Sequence, residues 1–373
     1  KQAEDEIAVA NMTIGAGHAG ARAMCATSGG GFALMTEALG MAGMIEAPVV
    51  FVLVQRGGPS TGLPTKTEQA DLNQAFGASQ GDYPRVILAP SDLYDAFRTM
   101  EEAFNLADRW QLPVIVMSDL LLSEHNQTVD PDRFDFRFKI DRGQVLAGPP
   151  AGAPFARYRI TETGVSPRAW PGTAGTVFHA GTDEHDERGV LISDVSTHPP
   201  TRRRMVDKRQ RKVESLLREL PPPALEGGDD APLTLIGWGS TKGVIREARA
   251  LLSERGIRTN HLHVRYLQPF QQREVGAILA HAQHTLVIEN SASAQFARHL
   301  RAETGHTVDG LVLKYDGEPF SPAEVAGAVA EFVAAGSHRG FRRVCETPDV
   351  SQTAFPRTEG SRAAAPRAAE VVP

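Results

Sequence analysis

The segment Pro48-Val-Val-Phe-Val-Leu-Val54 is a continuous apolar run, and a Gly-, Pro- and Thr-rich stretch at 55–69 follows it directly. Such a run predicts a strand that is covered on both faces of a parallel sheet. Further apolar runs at 86–88 and 113–117 flank a predicted helix at 90–110. Strands that alternate with helices predict an α/β fold with a parallel sheet and right-handed crossovers.

The same rhythm occurs on both sides of a central region. Upstream we expect a helical stretch at 6–14, a strand at 21–27 and a helix at 32–45 that Ser28 is placed to cap. Downstream, strands are predicted at 233–237, 259–264, 285–289 and 311–315, with helices at 241–255, 273–281, 295–304 and 322–335. We therefore predict two doubly wound α/β domains, at 1–125 and 231–345.

The remaining segments lack this rhythm. Residues 126–230 are rich in Pro, Gly, Asp and Arg, which predicts a loop-rich connection with one helix near 201–220. Residues 346–373 have low complexity and are predicted to form a disordered tail.

Composition excludes several classes of protein. The 373 residues are 41% hydrophobic, which is typical of globular proteins, and no apolar run is long enough to span a membrane. The net charge of −6 gives no overall attraction to nucleic acid or anionic lipid. Two cysteines, Cys25 and Cys345, are too few for an iron–sulfur cluster, and their scarcity favours a reducing, cytoplasmic setting.

The stretch 55–69, called the Arg56 loop below, is the richest candidate site. Ligands in open α/β sheets bind at the carboxyl ends of strands, where this loop lies. Arg56 and Lys66 are suited to bind carboxylates, and hydroxyls such as those of Thr61 and Thr67 add hydrogen bonds. The loop lacks the spacing of a Walker phosphate loop. A plain surface connection is the alternative, but loops of this length are usually functional or disordered.

Two further features near the N-terminus are ambiguous. Glu4 is one of three acids before an apolar helix, where acids are usually solvated and favoured by the helix dipole. The turn Thr27-Ser-Gly-Gly-Gly31 suits either an anion at a helix N-terminus or a tight turn.

Three other polar clusters have mainly structural interpretations. The His- and acid-rich segment 179–187 has metal-ligand chemistry, but we favour solvated side chains and no metal site. His261 and His263 share one face of a predicted strand and are expected to be structural. The basic cluster 202–212 is predicted to be an exposed charged helix, and without interleaved aromatic residues it does not indicate nucleic-acid binding.

Taken together, these motifs resemble a known family. They are Gln2-Ala-Glu4, Ala26-Thr-Ser-Gly-Gly-Gly-Phe-Ala-Leu-Met-Thr-Glu37, the Arg56 loop, Gly237-Trp-Gly-Ser-Thr-Lys-Gly243, Arg265-Tyr-Leu-Gln-Pro-Phe270, Val287-Ile-Glu-Asn290 and Lys314-Tyr-Asp-Gly317. Over about residues 1–345 the chain is similar to the α subunit of 2-oxoacid:ferredoxin (acceptor) oxidoreductases, in particular the 2-oxoglutarate branch.

The resemblance implies a cofactor and partners. Such enzymes bind thiamine diphosphate between a pyrimidine-binding domain, which residues 1–125 resemble, and a pyrophosphate-binding domain. The latter, with Mg²⁺ and a [4Fe-4S] cluster, belongs to a separate β subunit in this branch. The second domain resembles the transketolase C-terminal domain. The implied reaction is oxidative decarboxylation of a 2-oxoacid, 2-oxoglutarate being the expected one, with acyl transfer to coenzyme A and electron transfer to ferredoxin.

Residue roles follow from the same resemblance. Glu4 matches the glutamate that hydrogen-bonds the aminopyrimidine ring of the cofactor, and Thr27 and Ser28 are assigned to the cofactor side. Arg56 matches the arginine that faces the substrate. Lys66, with Thr61 and Thr67 in the same loop, is assigned to the distal carboxylate of a dicarboxylic substrate.

The chain departs from the family pattern in two places. Ser28-Gly-Gly-Gly31 stands where the family usually has Ser-Gly-Pro-Gly. The family also carries residues before Gln2, including a first strand and helix, so we expect a truncated subunit with an exposed sheet edge that is inactive alone. Two alternatives stay open: another thiamine-diphosphate enzyme subunit of the transketolase or dehydrogenase type, and a non-catalytic assembly subunit.

Overall fold

The computed structural model describes residues 2–150, 154–192 and 197–348. Within them are eleven strands: β1 (Met24–Thr27), β2 (Val49–Gln55), β3 (Val86–Leu88), β4 (Pro113–Asp119), β5 (Ala224–Glu226), β6 (Leu233–Trp238), β7 (Thr259–Val264), β8 (Tyr266–Gln268), β9 (His284–Glu289), β10 (Gly310–Leu313) and β11 (Phe341–Val344). The same residues form ten α-helices: α1 (Glu6–His18), α2 (Gly29–Met44), α3 (Leu72–Phe76), α4 (Leu93–Trp110), α5 (Leu120–Glu124), α6 (Pro199–Leu217), α7 (Thr241–Glu254), α8 (Gln272–His281), α9 (Gln295–Thr304) and α10 (Pro322–Ala334). A single 3₁₀ turn, Pro131–Arg133, is also described.

These strands form two sheets, which confirms the predicted α/β fold class. The first has the order β1-β2-β4-β3-β8, with its first four strands parallel. The second has the order β11-β10-β9-β6-β7-β5, and there only β5 is antiparallel to its neighbour among the described strands.

Helices cover both faces of the first sheet. Along β2, Phe51 and Leu53 pack in the same cluster as Phe32 of α2, whereas Val50 packs in the cluster that contains Trp110 of α4. Alternate residues of a strand point to opposite faces, so a run that is apolar at every position must be buried on both. The fully apolar run at 48–54 therefore has the environment that the sequence predicts.

The two domains are joined more closely than the sequence predicts. Strand β8 lies just after β7 in the chain but belongs to the first sheet, where it pairs antiparallel with β3. One hydrophobic cluster also contains Phe32 of α2 together with Trp238 of β6 and Phe296 of α9. The predicted boundary near residue 231 therefore lies between the two sheets. However, β8 comes after this boundary and pairs with the first sheet, and one hydrophobic cluster contains residues from both sides of it.

Helix α6 corrects the prediction of an exposed charged helix at the basic cluster 202–212. Lys208 and Lys212 are fully buried, and both pair with Glu46, which is also buried. Lys212 Nζ lies 2.5 Å from Glu46 Oε2 and donates a hydrogen bond of 2.8 Å to the carbonyl oxygen of Gln111. Burial lowers the pKa of Lys208 to about 7 and that of Lys212 to about 8. The charges of this helix therefore tie it to the first domain.

The predicted tail at 346–373 lies almost wholly outside the described residues, which end at 348. Among the helices that are described, none has the length and apolar content needed to cross a membrane.

Replacing the buried acid should destabilise the fold strongly. Glu46→Gln leaves two buried lysines without a counter-charge, so we expect a loss of about 3–5 kcal/mol in the free energy of unfolding. In this variant the buried lysines hold their protons less readily in the folded state than in the unfolded state. Low pH therefore favours unfolding, and the loss in the free energy of unfolding should be larger at pH 6 than at pH 9. Urea unfolding at both pH values measures it.

Glu331→Gln is the matched control, because Glu331 forms an exposed ion pair with Arg343 at 3.2 Å. Such pairs contribute about 1 kcal/mol or less. Equal effects of the two substitutions would contradict a stabilising role for the buried cluster.

Candidate active site

The Arg56 loop folds back on itself at the carboxyl end of β2. The N–H of Gly57 donates to the carbonyl of Lys66 at 3.0 Å, and the N–H of Leu63 donates to the carbonyl of Gly57 at 2.8 Å. Gly62 has a φ of +48°, and a side chain there would overlap the Gly57 carbonyl. Only glycine meets both requirements at low cost, so the loop is a defined turn.

Gln69 holds the end of this loop between the two sheets. Its Nε2 donates to the carbonyl of Trp238 at the end of β6, at 3.0 Å. Its Oε1 accepts from the N–H of Asn290 after β9, at 3.0 Å, and its own N–H donates to the Asn290 carbonyl at 2.6 Å. Gln69 is almost fully buried. The Arg56 loop therefore lies between the carboxyl edges of the two sheets.

A second link joins these edges at Thr67 and Asp119. The N–H of Thr67 donates to the Gly317 carbonyl at 3.2 Å, and its hydroxyl hydrogen-bonds Asp119 at the end of β4. Asp119 also accepts from the Ser240 hydroxyl at 2.5 Å. Burial raises the pKa of Asp119, and these hydrogen bonds oppose the rise. The predicted substrate residue Thr67 is thus buried and already has an internal partner.

Arg56 lies near the Asp71 carboxyl group, and Glu68 lies near Asp71 in turn. Its Nε is buried and, among the described residues, has no hydrogen-bond partner, and the same holds for Asp71 Oδ2. Burial raises the pKa of Asp71 to about 6, against the effect of the Arg56 charge. Burial also raises the pKa of Glu68 to about 7, with a contribution from Asp71. A half-buried guanidinium whose Nε has no partner among the described residues suits an anionic ligand.

The turn at Thr27–Gly31 lies against the same group. A Cβ at Gly29 would overlap the Asp71 carboxylate, and one at Gly30 would lie 4.0 Å from the carbonyl oxygen of Ser60 in the Arg56 loop. Ser28 precedes α2, and its side chain makes no capping hydrogen bond. The structure therefore brings Thr27 and Ser28 next to the Arg56 loop, at the carboxyl end of β1.

Glu4 is exposed and precedes α1. The neighbouring Asp5 caps that helix by accepting from the N–H of Ala8 at 2.7 Å. Glu6 reaches towards the Thr27 turn, since a Cβ at Gly31 would lie 2.8 Å from Glu6 Oε1. The contacts of the described residues do not join Glu4 to the Arg56 loop, so its predicted role remains a prediction.

The exposed part of the Arg56 loop carries Thr61 and Lys66. Lys66 forms an ion pair with Glu318, in the segment that follows β10. Of the predicted substrate residues, the structure thus leaves Thr61 exposed and Arg56 without a partner at Nε, and gives Lys66 and Thr67 partners in the chain.

The segment 179–187 does not form a metal site among the residues that the structure describes. Glu184 instead pairs with Arg202 and with Arg209, the latter at 2.8 Å. His185 is buried against the ring of Tyr158, with centroids 4.0 Å apart. Part of this segment is therefore packed rather than solvated, contrary to the solvated interpretation that we favoured.

Sequence reasoning missed several polar residues of the site: Glu68, Gln69, Asp71, Asp119 and Glu318. One signal was present for Asp119, which directly follows a buried apolar run and so occupies the carboxyl end of a strand. The others have partners more than 160 residues away or pKa values set by burial, which no local pattern reveals.

Comparison with known proteins places this arrangement in a class of thiamine-diphosphate-binding domains. Residues 1–198, more than half of the chain, match the family model described as pyruvate flavodoxin/ferredoxin oxidoreductase, thiamine diphosphate-binding. The chain belongs to this family, as an α-subunit sequence of the 2-oxoacid:ferredoxin oxidoreductases. This is the family that the motifs indicate, rather than the transketolase or dehydrogenase type.

Similar proteins come from archaea and bacteria. The chain is 39% identical over 342 residues to the 2-oxoacid:ferredoxin oxidoreductase 2 α subunit of Aeropyrum pernix, covering 91% of this chain and 52% of that one. It is 34% identical to the 2-oxoglutarate synthase subunit KorA of Methanothermobacter thermautotrophicus. That match covers 88% of this chain and 85% of the relative.

A solved structure is also similar, that of the 2-oxoglutarate:ferredoxin oxidoreductase from Magnetococcus marinus. Its TM-score is 0.81 at 36% identity, and the match covers 88% of this chain and 56% of that one. The chain spans about half the length of the first curated relatives that it matches.

Anions should bind more weakly at the Arg56 loop as the pH rises from about 6 to 8. Both raised pKa values mean that Asp71 and Glu68 lose their protons over this range, so that Asp71 offsets the charge of Arg56 and Glu68 adds a negative charge next to Asp71. We expect the dissociation constant for a small carboxylate ligand to rise about two- to fivefold. Isothermal titration calorimetry across this range measures it.

Glu68→Gln should flatten the upper half of this profile. Glu37→Gln, an exposed change on α2, should leave the profile unaltered. A wild-type dissociation constant that is constant from pH 6 to 8 would show that these carboxyl groups do not affect the site.

Proposed function

We propose that the chain acts as the α subunit of a 2-oxoacid:ferredoxin oxidoreductase. The reaction cleaves the bond between the carboxylate and the oxo carbon of a 2-oxoacid, releases CO₂, transfers the acyl group to coenzyme A and passes two electrons to ferredoxin. The observation that carries this proposal is the Arg56 loop, where a half-buried guanidinium, whose Nε has no partner among the described residues, lies between the carboxyl edges of two sheets.

For the substrate we propose 2-oxoglutarate. Arg56 binds the carboxylate next to the oxo group, Lys66 binds the distal carboxylate, and the Thr61 hydroxyl adds a hydrogen bond. Two cations on one loop suit a dicarboxylic acid better than a monocarboxylic one, because a second buried carboxylate needs a second counter-charge. The structural relative from Magnetococcus marinus, solved with 2-oxoglutarate, coenzyme A and succinyl-CoA bound, supports this choice.

The residues of this chain fit one end of thiamine diphosphate. Ser28 makes no capping hydrogen bond with its side chain, and Glu4 has an exposed carboxylate, so both can bind an aminopyrimidine ring that a partner chain holds. When bound, the cofactor supplies the carbon nucleophile and the electron sink for decarboxylation. The Glu4 carboxylate would share a proton with a nitrogen of the aminopyrimidine ring. Thr27 and Ser28 would orient the ring.

The proposal includes a partner. A β subunit would hold the pyrophosphate, Mg²⁺ and the [4Fe-4S] cluster, since this chain has only two cysteines and both are free and buried. The name of the relatives, subunit alpha, supports the existence of such a subunit. A cytoplasmic location, which free thiols favour, is part of the same proposal.

Reconstitution tests the function directly. The full-length chain with its β subunit should reduce a low-potential dye in a 2-oxoacid-dependent manner, and Glu4→Gln should lower kcat about 10²- to 10⁴-fold. Glu6→Gln is the matched control and should have a much smaller effect. No dye reduction by the wild type would support the assembly-subunit alternative, and a larger loss in Glu6→Gln would transfer the role to Glu6.

Lys66→Ala tests the substrate. We expect kcat/KM for 2-oxoglutarate to fall about 10- to 100-fold, because a charge-assisted hydrogen bond is lost. The kcat/KM for pyruvate, which has no distal carboxylate, should change less than threefold, about 0.6 kcal/mol. An unchanged kcat/KM for 2-oxoglutarate would contradict the role of Lys66.

A further inference from the structure

Lys66, which the proposed function assigns to the distal carboxylate, already has a carboxylate partner. It pairs with Glu318, and the two side chains are 45% and 39% exposed. Lys66 follows β2 of the first sheet, whereas Glu318 follows β10 of the second. The ion pairs of the described residues give Glu318 no other partner.

Glu318 is held in place by its backbone rather than by its charge. Its N–H donates to Asp316 Oδ1 at 3.0 Å, and Asp316 Oδ2 accepts from the N–H of Thr347 at 2.7 Å. The preceding Gly317 accepts from Thr67, and a Cβ there would lie 2.8 Å from Leu63 Cδ1. The Glu318 carboxylate is thus kept close to the Arg56 loop even when Lys66 has another partner.

The nearby basic residue is not available to take over the role of Lys66. Lys314 is buried, and its Nζ lies 2.6 Å from Glu324 Oε1 and 3.7 Å from Asp316 Oδ2. Glu318 and an incoming carboxylate therefore compete for one accessible ammonium group, Lys66.

We propose that Glu318 limits the preference for dicarboxylic 2-oxoacids, because its carboxylate occupies the distal-carboxylate position until such a substrate displaces it. This inference rests on the proposed function. An exposed ion pair is weak, so the exchange costs little. Because Glu318 is tethered, it competes at a fixed effective concentration, and only a substrate that presents its own second carboxylate replaces it. A monocarboxylic 2-oxoacid leaves the pair intact.

The test is Glu318→Gln in the full-length chain assembled with its β subunit. The KM for 2-oxoglutarate should fall about two- to fivefold with kcat unchanged, which is the size expected for removal of an exposed competing charge. The KM for pyruvate should stay the same. Glu318→Lys, which adds a cation, should lower the KM for 2-oxoglutarate further. Glu331→Gln, at the exposed pair with Arg343, should change neither KM.

Failure of this inference is distinguishable from failure of the proposed function. If the wild type turns over 2-oxoglutarate but Glu318→Gln leaves its KM unchanged or raises it, Glu318 is not a competitor and the inference is overturned. Equal shifts for both substrates overturn it as well, since a merely structural change would act on both. If the wild type turns over no 2-oxoacid, the proposed function fails first.

Discussion

The side-chain amide of Gln69 is the interaction on which the candidate site depends. It donates to the end of β6 and accepts from the residue after β9, although it belongs to a loop of the first sheet. A buried amide that loses such partners leaves polar groups unpaired, at a cost of about 1–3 kcal/mol each. This contact fixes the end of the Arg56 loop, so the position of Arg56 and Lys66 follows from the packing of both domains.

The sequence predicts the parallel core well, because its signal is local. The run at 48–54 is apolar at every position, and the helix ending at Thr304 is followed by Gly305 in the left-handed region, where glycine is favoured. Strands β5 and β8 were missed for the opposite reason. Each has only three residues and pairs antiparallel with its neighbour. The partner of β8, strand β3, also lies far away along the chain. Such short strands depend on tertiary contacts rather than on propensity.

The candidate site was predicted only in part, for a related reason. Arg56 and Lys66 were found because ligand loops follow parallel strands and cations bind carboxylates. The basic helix was misjudged because Lys208 and Lys212 have their counter-charge at Glu46, more than 160 residues earlier in the chain. The raised pKa values of Glu68 and Asp71 could not be predicted from the sequence either, because both are caused by burial in the folded chain.

The pairing of β3 with β8 has a consequence for how the chain is made. Ile87 lies opposite Gln268, so β3 acquires its outer neighbour only after about 180 further residues have left the ribosome. Until then its edge is open, and open edges attract other strands. During synthesis the edge of β3 therefore stays open for as long as it takes to make these residues.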